Sequence, residues 1–457
     1  MTIPRQLPRV FAFGLLLGLV STFASAANPF GPVQLLTTAG TDRGLFLRDM
    51  DGDGNLDLIT TSTTQVQIHY GTTTGYTQTP TVVSPVLQAG WSIQAASTFD
   101  IATAPLNADS YVDLIVYSAS SDNIKDPSRK AQVDNFLAGS ARGFQKLFAT
   151  VFNEATNLEQ IYPHSTHLGI ADLYFKFTNR LEFYFLFDPL TGTFKSRPVK
   201  SAVPKGKFEE FLINGSPQII LKNEGSKKKF SRIYIFASMA DSGKLRKGPI
   251  IGKGKFIDAF AVDLDNDTYY DGVNLTRTKK AALINISYGL SNFKQERFQK
   301  AIDLQSLDVQ QLQVDDINGD GVLDLLVLDK DSSSGAARIR FFVGNAGSRI
   351  FTETGSVLVP QLSNLENLRL YSADLNGDSK VDLLFADDLS QSLYLLNQIS
   401  FAASPVFEDA IQISVSGSLS IDIRSIECRD LNADGKPDVI LKDKSSSSSK
   451  VFYLLGQ

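Results

Sequence analysis

Residues 316–324 read Asp316-Ile317-Asn318-Gly319-Asp320-Gly321-Val322-Leu323-Asp324. This nine-residue segment has carboxylate or amide side chains at positions 1, 3, 5 and 9, and glycine at position 6. Four more segments share acidic residues at positions 1, 5 and 9, namely 49–57, 263–271, 374–382 and 430–438. The last four copies begin 53, 58 and 56 residues apart. The chain is therefore built from a repeated unit of about 54 residues.

Oxygen atoms at this spacing suit calcium, which takes six to eight oxygen ligands at about 2.3–2.6 Å. Side chains at positions 1, 3, 5 and 9 and the backbone carbonyl of position 7 can converge if the loop curls tightly, and glycine at position 6 relieves the strain. Mg²⁺ prefers fewer protein oxygens and stricter octahedral geometry, so calcium is the expected ion. The predicted ligand sets are Asp49, Asp51, Asp53, Asn55 and Asp57; Asp263, Asp265, Asp267, Tyr269 and Asp271; Asp316, Asn318, Asp320, Val322 and Asp324; Asp374, Asn376, Asp378, Lys380 and Asp382; and Asp430, Asn432, Asp434, Lys436 and Asp438.

These segments are not EF-hand loops. An EF-hand has a bidentate glutamate at position 12 and a helix on each side. Position 12 here is never glutamate, being Thr60, Asn274, Val327, Phe385 or Leu441. The flanking segments are rich in apolar and β-branched residues, which is typical of strands. Five loops in phase, each leading into an apolar strand, favour metal binding over five unrelated acidic turns.

A weaker copy lies at residues 105–113. Pro105 replaces the first carboxylate, while Asn107, Asp109 and Asp113 remain. The pattern leaves metal binding in this loop open.

Each unit is predicted to contain four strands. The first unit indicates strands at 44–48, 56–61, 65–70 and 76–83, with the acidic loop between the first two. The fourth strand is expected to open at a phenylalanine, namely Phe144, Phe194, Phe293, Phe351 or Phe407 in later units. Short strands at regular spacing predict an all-β fold, a single β-propeller of four-stranded blades.

The unit count predicts eight blades, with seven as the alternative. Two units, at about 167–199 and 207–251, lack the acidic loop. The last unit ends after its third strand, at residues 450–455, whereas residues 30–37 resemble a fourth strand placed before the first unit. We therefore expect the N-terminal strand to complete the last blade and close the ring, which removes an exposed sheet edge.

The first 26 residues have the features of a secretory signal peptide. Arg5 and Arg9 precede an apolar run at residues 10–20, and Ala24-Ser25-Ala26 is a small-residue cleavage signal. The predicted division is a signal peptide at 1–26 and a propeller at 27–457. No later apolar run approaches twenty residues, so we expect a mature protein without an integral membrane span, secreted to the extracellular space or the periplasm.

Composition excludes several classes of protein. The chain has 457 residues, 20% of them charged and 43% hydrophobic, which is ordinary for a globular protein. The formal net charge of −5 argues against a nucleic-acid binder. The single cysteine, Cys428, allows no intramolecular disulfide, so an exported chain needs another means of stabilisation.

These loops and strands resemble the FG-GAP and VCBS repeats, the calcium-binding blades of integrin alpha-subunit propellers and of many secreted bacterial proteins. The resemblance covers nearly the whole chain after residue 26. It implies a propeller fold and calcium, about five structural ions in all, bound by the five sets of loop residues given above. The third unit is also faintly similar to T-cell immunomodulatory proteins, through Pro163-His164-Ser165, Asp172-Leu173 and Phe177-Thr178.

The functional prediction is a non-catalytic binding or adhesion module for glycans or proteins. Residues 195–255 hold fifteen lysines or arginines against four acidic residues, which favours an anionic partner if this segment is more than a solvated loop. The alternative is a calcium-dependent polysaccharide lyase, or another carbohydrate-active enzyme, on the same propeller. No acid–base pair or other catalytic residue can be assigned from the sequence.

Overall fold

A computed structural model describes most of the chain between residues 28 and 457. The described residues are 28–41, 43–98, 111–123, 126–139, 142–152, 255–269, 271–289, 302–414, 422, 426–443 and 450–457, together with the strands between 158 and 253 that are given below. The predicted signal peptide at 1–26 lies outside them, as do the side chains of most of the basic stretch at 195–255.

The described part of the chain contains eight four-stranded antiparallel sheets, here called sheets I to VIII. In sheets I to VII the four strands follow one another along the chain, and each successive strand pairs with the one before it. The strands of sheets I to IV, in that order, are Gly44–Arg48, Asp57–Thr61, Val66–His69 and Thr81–Val83; Ser92–Thr98, Leu114–Ala119, Ala131–Ala138 and Phe144–Phe152; Leu158–His167, Ile170–Phe177, Arg180–Tyr184 and Val199–Ala202; and Lys207–Ile213, Ser216–Asn223, Phe230–Phe236 and Leu245–Lys253.

The remaining sheets have the same order, except that the strand completing sheet VIII comes from the N-terminal segment. Their strands are Lys255–Val262, Asp271–Arg277, Ala282–Ser287 and Ile302–Asp303; Val309–Asp315, Asp324–Lys330, Ala337–Asn345 and Ile350–Val359; Leu368–Ala373, Asp382–Asp387, Ser392–Leu396 and Ile411–Ser414; and Glu427–Arg429, Asp438–Lys442, Lys450–Leu454 and Gln34–Thr37.

The second strand of each sheet is covered on both faces wherever its burial is described. Leu114–Ala119 in sheet II and Asp382–Asp387 in sheet VII are buried at every position. Such a strand can carry apolar residues on both sides, and in sheet VI it contains the continuous run Leu325-Leu326-Val327-Leu328 rather than an alternation. Ile350–Val359, a fourth strand, is mostly exposed or half-buried. The sheets therefore pack face to face, with their fourth strands toward solvent.

Neighbouring sheets share hydrophobic cores. One core joins sheets V and VI through residues that include Val273, Ile284, Leu325 and Phe342. Similar cores join sheets VI and VII, sheets VII and VIII, and sheets I and II. Burying one such side chain contributes about 1.5–3 kcal/mol to stability, so these contacts hold the sheets together.

The N-terminal strand joins the first and last repeats. Gln34–Thr37 pairs antiparallel with Lys450–Leu454, and Phe30 forms an isolated bridge with Gly456, so the predicted pairing is confirmed. Tyr453 Oη donates a hydrogen bond to Gln34 Oε1 at 2.7 Å. A further core, which includes Leu36, Leu58 and Tyr453, packs sheet VIII against sheet I.

The prediction for the fourth strands is partly wrong. It is correct at Phe144 and one residue late at Phe351, but Phe194 and Phe407 belong to two-stranded extensions of the preceding hairpin. The chain enters the fourth strand only after these extensions. Phe407 stacks on Phe341 of sheet VI with ring centroids 5.8 Å apart, so it serves packing between sheets. Phe293 lies outside the described residues.

Helical structure is confined to one short 3₁₀ turn, Leu365–Asn367, within the described residues. In that same part of the chain there is no helix with the length and apolar character needed to cross a bilayer.

The contact between sheets VIII and I can be tested on one strand. Leu36→Ala should lower the free energy of unfolding by about 3 kcal/mol, because Leu36 is fully buried in the shared core and its loss leaves a cavity. Leu35 is 45% exposed, so Leu35→Ala is the matched control and should change stability by less than about 0.5 kcal/mol. Urea unfolding followed by circular dichroism measures both. Equal effects would contradict the packing of this strand.

Candidate metal centres

The five acidic segments occupy equivalent places in five sheets. Each connects the first strand to the second strand, and all five therefore lie at the same end of their sheets. They are named here by sheet: loops I, V, VI, VII and VIII, which span residues 49–57, 263–271, 316–324, 374–382 and 430–438.

The aspartate at position 9 is fully buried in every loop and is held by two backbone amides. Its Oδ2 accepts a hydrogen bond from the amide of position 2, and its Oδ1 accepts one from a residue near the end of the third strand. That residue is the last but one of the strand in sheet VI and lies two positions past the strand in the other four sheets. In loop VI these donors are Ile317 and Gly344, at 3.1 and 2.7 Å from Asp324. The corresponding donors for the other four aspartates are Met50 and Gly71 for Asp57, Leu264 and Gly289 for Asp271, Leu375 and Gln398 for Asp382, and Leu431 and Gly456 for Asp438.

Glycine at the end of the third strand has a steric reason. A Cβ atom at Gly344 would lie 2.6 Å from the carbonyl oxygen of Leu323, and one at Gly71 would lie 2.5 Å from that of Leu56. This close approach lets the glycine amide reach the buried carboxylate of position 9. The sequence alone did not indicate that these glycines belong to the loops.

The aspartates at positions 1 and 5 shape the loop itself. In loop VI, Asp316 Oδ1 and Oδ2 accept hydrogen bonds from the amides of Gly319 and Gly321 at 2.8 and 2.7 Å, and Asp320 Oδ1 accepts one from Val322 at 2.8 Å. The other four loops repeat the bonds from position 6 to position 1 and from position 7 to position 5. Backbone amides therefore hold these carboxylates in place.

Two residues of each loop adopt left-handed backbone conformations. Position 6 has a positive φ in all five loops, as the glycines at this position predict. Position 4 also has a positive φ in every loop, which the sequence analysis missed. The residues at position 4 are Gly52, Asn266, Gly319, Gly377 and Ala433, and those at position 6 are Gly54, Thr268, Gly321, Ser379 and Gly435.

Burial raises the pKa of the aspartate at position 9, and the neighbouring loop carboxylates add to this effect while the two amide hydrogen bonds oppose it. The pKa rises from 3.8 to about 7 for Asp57, Asp271 and Asp324. It rises to about 6 for Asp382 and Asp438. A cation bound beside these carboxylates would favour their ionised form and lower their pKa.

Loops I and V bring three carboxylates together. The groups are Asp49, Asp51 and Asp57 in loop I, and Asp263, Asp265 and Asp267 in loop V, each with its ligand atoms within 4.8 Å of one another. Asp53 and Asp271 are not part of these triads. In loops VI, VII and VIII the residue at position 3 is asparagine, so fewer carboxylates are available there.

Several oxygens in these loops are buried without a hydrogen-bond partner. They are Asp51 Oδ1 and Asn55 Oδ1 in loop I, and Asp265 Oδ1 in loop V. The Asp265 side chain is only 4% exposed. A buried carboxylate oxygen without a donor is costly, whereas a hard cation would satisfy it. The donor set of loop V therefore fits a calcium ion.

The side chains at position 7 differ from loop to loop. Lys380 Nζ forms an ion pair with Asp378 of its own loop at 2.6 Å, and Val322 has no polar side chain. For Asn55, Tyr269, Val322, Lys380 and Lys436, the interaction that all five share is a backbone amide bond to position 5.

The weaker copy keeps part of the same arrangement. Asp113 is fully buried, and its Oδ1 accepts a hydrogen bond from the Ala138 amide at the end of the third strand, at 3.0 Å. Asn107 and Asp109 of this copy lie outside the described residues.

Arginines from neighbouring sheets contact loops I and V, and the sequence analysis did not find them. Arg142 of sheet II lies 2.7 Å from Asp51, and Arg349 of sheet VI lies 2.6 Å from Asp265. A possible signal was the Tyr-Gly pair at the end of the third strand, Tyr70-Gly71 and Tyr288-Gly289, which occurs only beside these two loops among the five.

A second candidate site is a polar cleft at the opposite end of sheets V, VI and VII. Its volume is about 510 Å³, and its lining includes Arg277, Lys330, Asp308, Glu366 and Asn364. Arg277 Nη2 donates to the Val309 carbonyl, and its Nε is buried without a partner. Among the described residues, no carboxylate lies within 4 Å of the charged atoms of Arg277 or Lys330. Arg277 and Lys330 are therefore free of ion pairs with described residues, in a cleft whose lining holds two cationic and two acidic side chains.

Comparison with known proteins agrees with the repeat pattern. Residues 316–385 and 374–441 match the model of the FG-GAP-like repeat. This region of the chain is made of FG-GAP-like repeats. The two matches span loops VI, VII and VIII. No curated protein sequence matches the chain.

Among solved structures, this chain is similar to Bacillus licheniformis rhamnogalacturonan lyase PL11. The TM-score is 0.42 and the sequence identity is 12%, over 89% of this chain and 81% of that chain.

The buried aspartates predict how stability depends on pH when metal is removed. In chelator, the free energy of unfolding should fall as pH rises from about 4 to about 7, because the folded state binds more protons than the unfolded chain in this range. Burial lowers the pKa of His69, so this one residue makes a contribution to stability that rises with pH, against the five aspartates. Urea unfolding in chelator at pH 5 and pH 7 measures the difference, and greater stability at pH 7 would contradict it.

Proposed function

We propose that this chain is a secreted, calcium-stabilised β-propeller of eight blades, which acts as a non-catalytic binding module for an extracellular glycan or protein. The observation that carries the proposal is the fivefold repetition of one loop geometry. Backbone amides hold the carboxylates of positions 1, 5 and 9, and a buried oxygen of Asp265 has no partner. Each of sheets I to VIII would be one blade.

Contacts between sheets support a closed ring. Shared cores join sheets V to VI, VI to VII, VII to VIII, VIII to I and I to II. The first strand of sheet II lies beside that of sheet III, and the fourth strand of sheet IV lies beside sheet V. Seven of the eight boundaries that a ring requires are therefore accounted for in the described residues.

Calcium in these loops would act on folding. Each loop places three or four carboxylates within nine residues, and these groups repel one another until a cation binds. The unfolded chain cannot hold them at one point, so the free energy of ion binding becomes free energy of folding. When bound, the ion would supply positive charge and would stabilise a fold that has no intramolecular disulfide.

Calcium should therefore raise the melting temperature, whereas chelator should lower it. An ion at one hundred times its dissociation constant contributes about 2.7 kcal/mol for each occupied site. Differential scanning calorimetry of the chain without residues 1–26 measures this, and calcium should restore the melting temperature after chelation while magnesium should not.

Variants separate a loop effect from a general charge effect. Asp265→Ala should reduce the calcium-dependent gain in stability, because it removes a ligand of loop V. Asp409→Ala is the matched control, since Asp409 is an exposed acidic residue outside the loops. If chelator leaves the melting temperature of the unmodified chain unchanged, the calcium assignment is wrong.

The polar cleft supports the binding role. Its volume of about 510 Å³ lies within the range of about 300–1,000 Å³ that ligand pockets occupy. Arg277 and Lys330 offer two cations that form no ion pair within 4 Å among the described residues, and Asn364 adds an amide. Asp308 and Glu366 line the same cleft. A uronic acid presents one carboxylate and several hydroxyl groups, which such a lining can bind. Among glycans and proteins, the cleft therefore favours an acidic oligosaccharide.

Binding to the cleft can be measured with defined probes. Isothermal titration with oligogalacturonate and hyaluronan oligosaccharides should detect binding of at least one of them and none of neutral cello-oligosaccharides. The Arg277→Ala/Lys330→Ala double variant should weaken binding at least tenfold, since each charge-assisted hydrogen bond contributes about 1.5–3 kcal/mol. Lys130→Ala, an exposed lysine of sheet II, is the control and should bind as the unmodified chain does.

The same titration distinguishes binding from catalysis. A lyase would create a conjugated double bond in the sugar, which absorbs ultraviolet light, while a binding module would leave the oligosaccharide intact. Ultraviolet absorbance that grows with time in the presence of calcium would overturn the non-catalytic assignment in favour of a polysaccharide lyase.

A further inference from the structure

Loop V receives an arginine from the next sheet. Arg349 lies in the turn before the fourth strand of sheet VI, and its Nε and Nη2 atoms are 2.6 Å from Asp265 Oδ2 and 3.5 Å from Asp267 Oδ2. The guanidinium stacks on the ring of Tyr288 in sheet V, 4.5 Å from the centroid. Tyr288 Oη in turn donates a hydrogen bond to the Arg349 carbonyl at 3.2 Å.

Loop I has the same arrangement with sheet II. Arg142 precedes the fourth strand of that sheet, and its Nη2 is 2.7 Å from Asp51 Oδ2 and 3.8 Å from Asp53 Oδ2. Its guanidinium lies 4.1 Å from the ring centroid of Tyr70, and Tyr70 Oη donates to the Arg142 carbonyl at 3.3 Å. Both arginines adopt a left-handed backbone conformation, with φ values of 56° and 54°.

Three features occur together in this chain. Loops I and V have aspartate at position 3, tyrosine before the glycine that ends the third strand, and an arginine from the next sheet. Loops VI, VII and VIII have asparagine at position 3, no tyrosine at that place, and no arginine within 4 Å of their carboxylates among the described residues. In those loops the residues before the amide donor are Val343, Asn397 and Leu455. The arginine therefore accompanies the extra carboxylate.

We propose that Arg349 and Arg142 are positioning residues for the metal, and that each couples ion binding in one sheet to the contact with the next sheet. The proposal rests on the calcium function proposed above. The arginine holds Oδ2 of the aspartate at position 3, so that Oδ1 is left for the ion. Because the arginine belongs to the next sheet, an ion that orders the loop also orders the turn at residues 345–350, or the turn that contains Arg142.

The geometry shows that the arginine does not take the place of the metal ion. A substitute cation would satisfy the carboxylate oxygens, but Asp265 Oδ1 and Asp51 Oδ1 remain buried without a partner. The arginine contacts the other oxygen, Oδ2, in both loops. The carboxylates of Asp263, Asp265 and Asp267 also still converge within 4.8 Å. The site is therefore supported by the arginine and not filled by it.

Hydrogen–deuterium exchange with mass spectrometry tests the coupling at separate loops of one molecule. Calcium should slow amide exchange in residues 263–268 and also in the turn 345–350. In the Arg349→Ala variant, half-maximal protection of residues 263–268 should require a calcium concentration at least about tenfold higher. A loss of this size is usual when a residue that holds a metal ligand in place is removed. The calcium-dependent protection of 345–350 should disappear, whereas loop VI at 316–321 should respond as before.

Further variants keep the test decisive. Arg349→Lys keeps the positive charge but lacks the planar fork, so it should show an intermediate calcium requirement. In an Asp265→Asn background, which copies loops VI to VIII, adding Arg349→Ala should change the calcium requirement of loop V by less than twofold. Arg429→Ala removes an exposed arginine that lies next to loop VIII and has no contact with loop V among the described residues, so it should have no effect on loop V. Unchanged protection of loop VI reports that each variant has folded.

Three outcomes would overturn the inference. Tighter calcium binding at loop V in Arg349→Ala would show that the arginine competes with the ion. Calcium-dependent protection of 345–350 that survives this substitution would show that the two sheets are coupled without the arginine. Absence of calcium-dependent protection in every loop of the unmodified chain would refute the calcium function itself, and the coupling with it.

Discussion

The buried aspartate at position 9 of each loop is the interaction on which the rest of the structure depends. One of its oxygens accepts a hydrogen bond from the amide at the start of the loop, and the other accepts one from an amide near the end of the third strand. A single side chain therefore fixes the start of the second strand relative to both its neighbours. Because a buried polar group without partners is costly, the loop, the strand ends and the glycine are constrained together.

The other loop carboxylates are also held by protein hydrogen-bond donors, and they are the groups that would contact a cation. Those at positions 1 and 5 accept backbone amides, which orders the loop, and the carboxylate at position 3 has its outer oxygen held by an arginine in loops I and V. What these donors cannot satisfy is the clustered negative charge and the remaining buried oxygen. The loops are therefore organised by protein donors but completed, in our proposal, by calcium.

Packing between the sheets depends on strands that are covered on both faces. The second strand of sheet VI contains a continuous apolar run, and shared cores join this strand to the sheets on both sides of it. At the junction of the two chain ends, the pairing of Gln34–Thr37 with Lys450–Leu454 carries this packing from the last repeat to the first. The contacts of Arg142 and Arg349 add a polar link at the loop end of two of these boundaries.

The sequence by itself determined the repeat, the acidic loops between strands and the pairing of the N-terminal strand, because these follow from local residue order and spacing. It indicated the wrong fourth strand at Phe194 and Phe407, since a two-stranded extension and a strand have the same composition. Only the tertiary structure decided which amides bind Asp324 and its equivalents, and which arginine reaches Asp265. The amides near the end of the third strand are 14 to 20 residues from the aspartate, and the arginine belongs to the next sheet, so no local pattern brings these partners together.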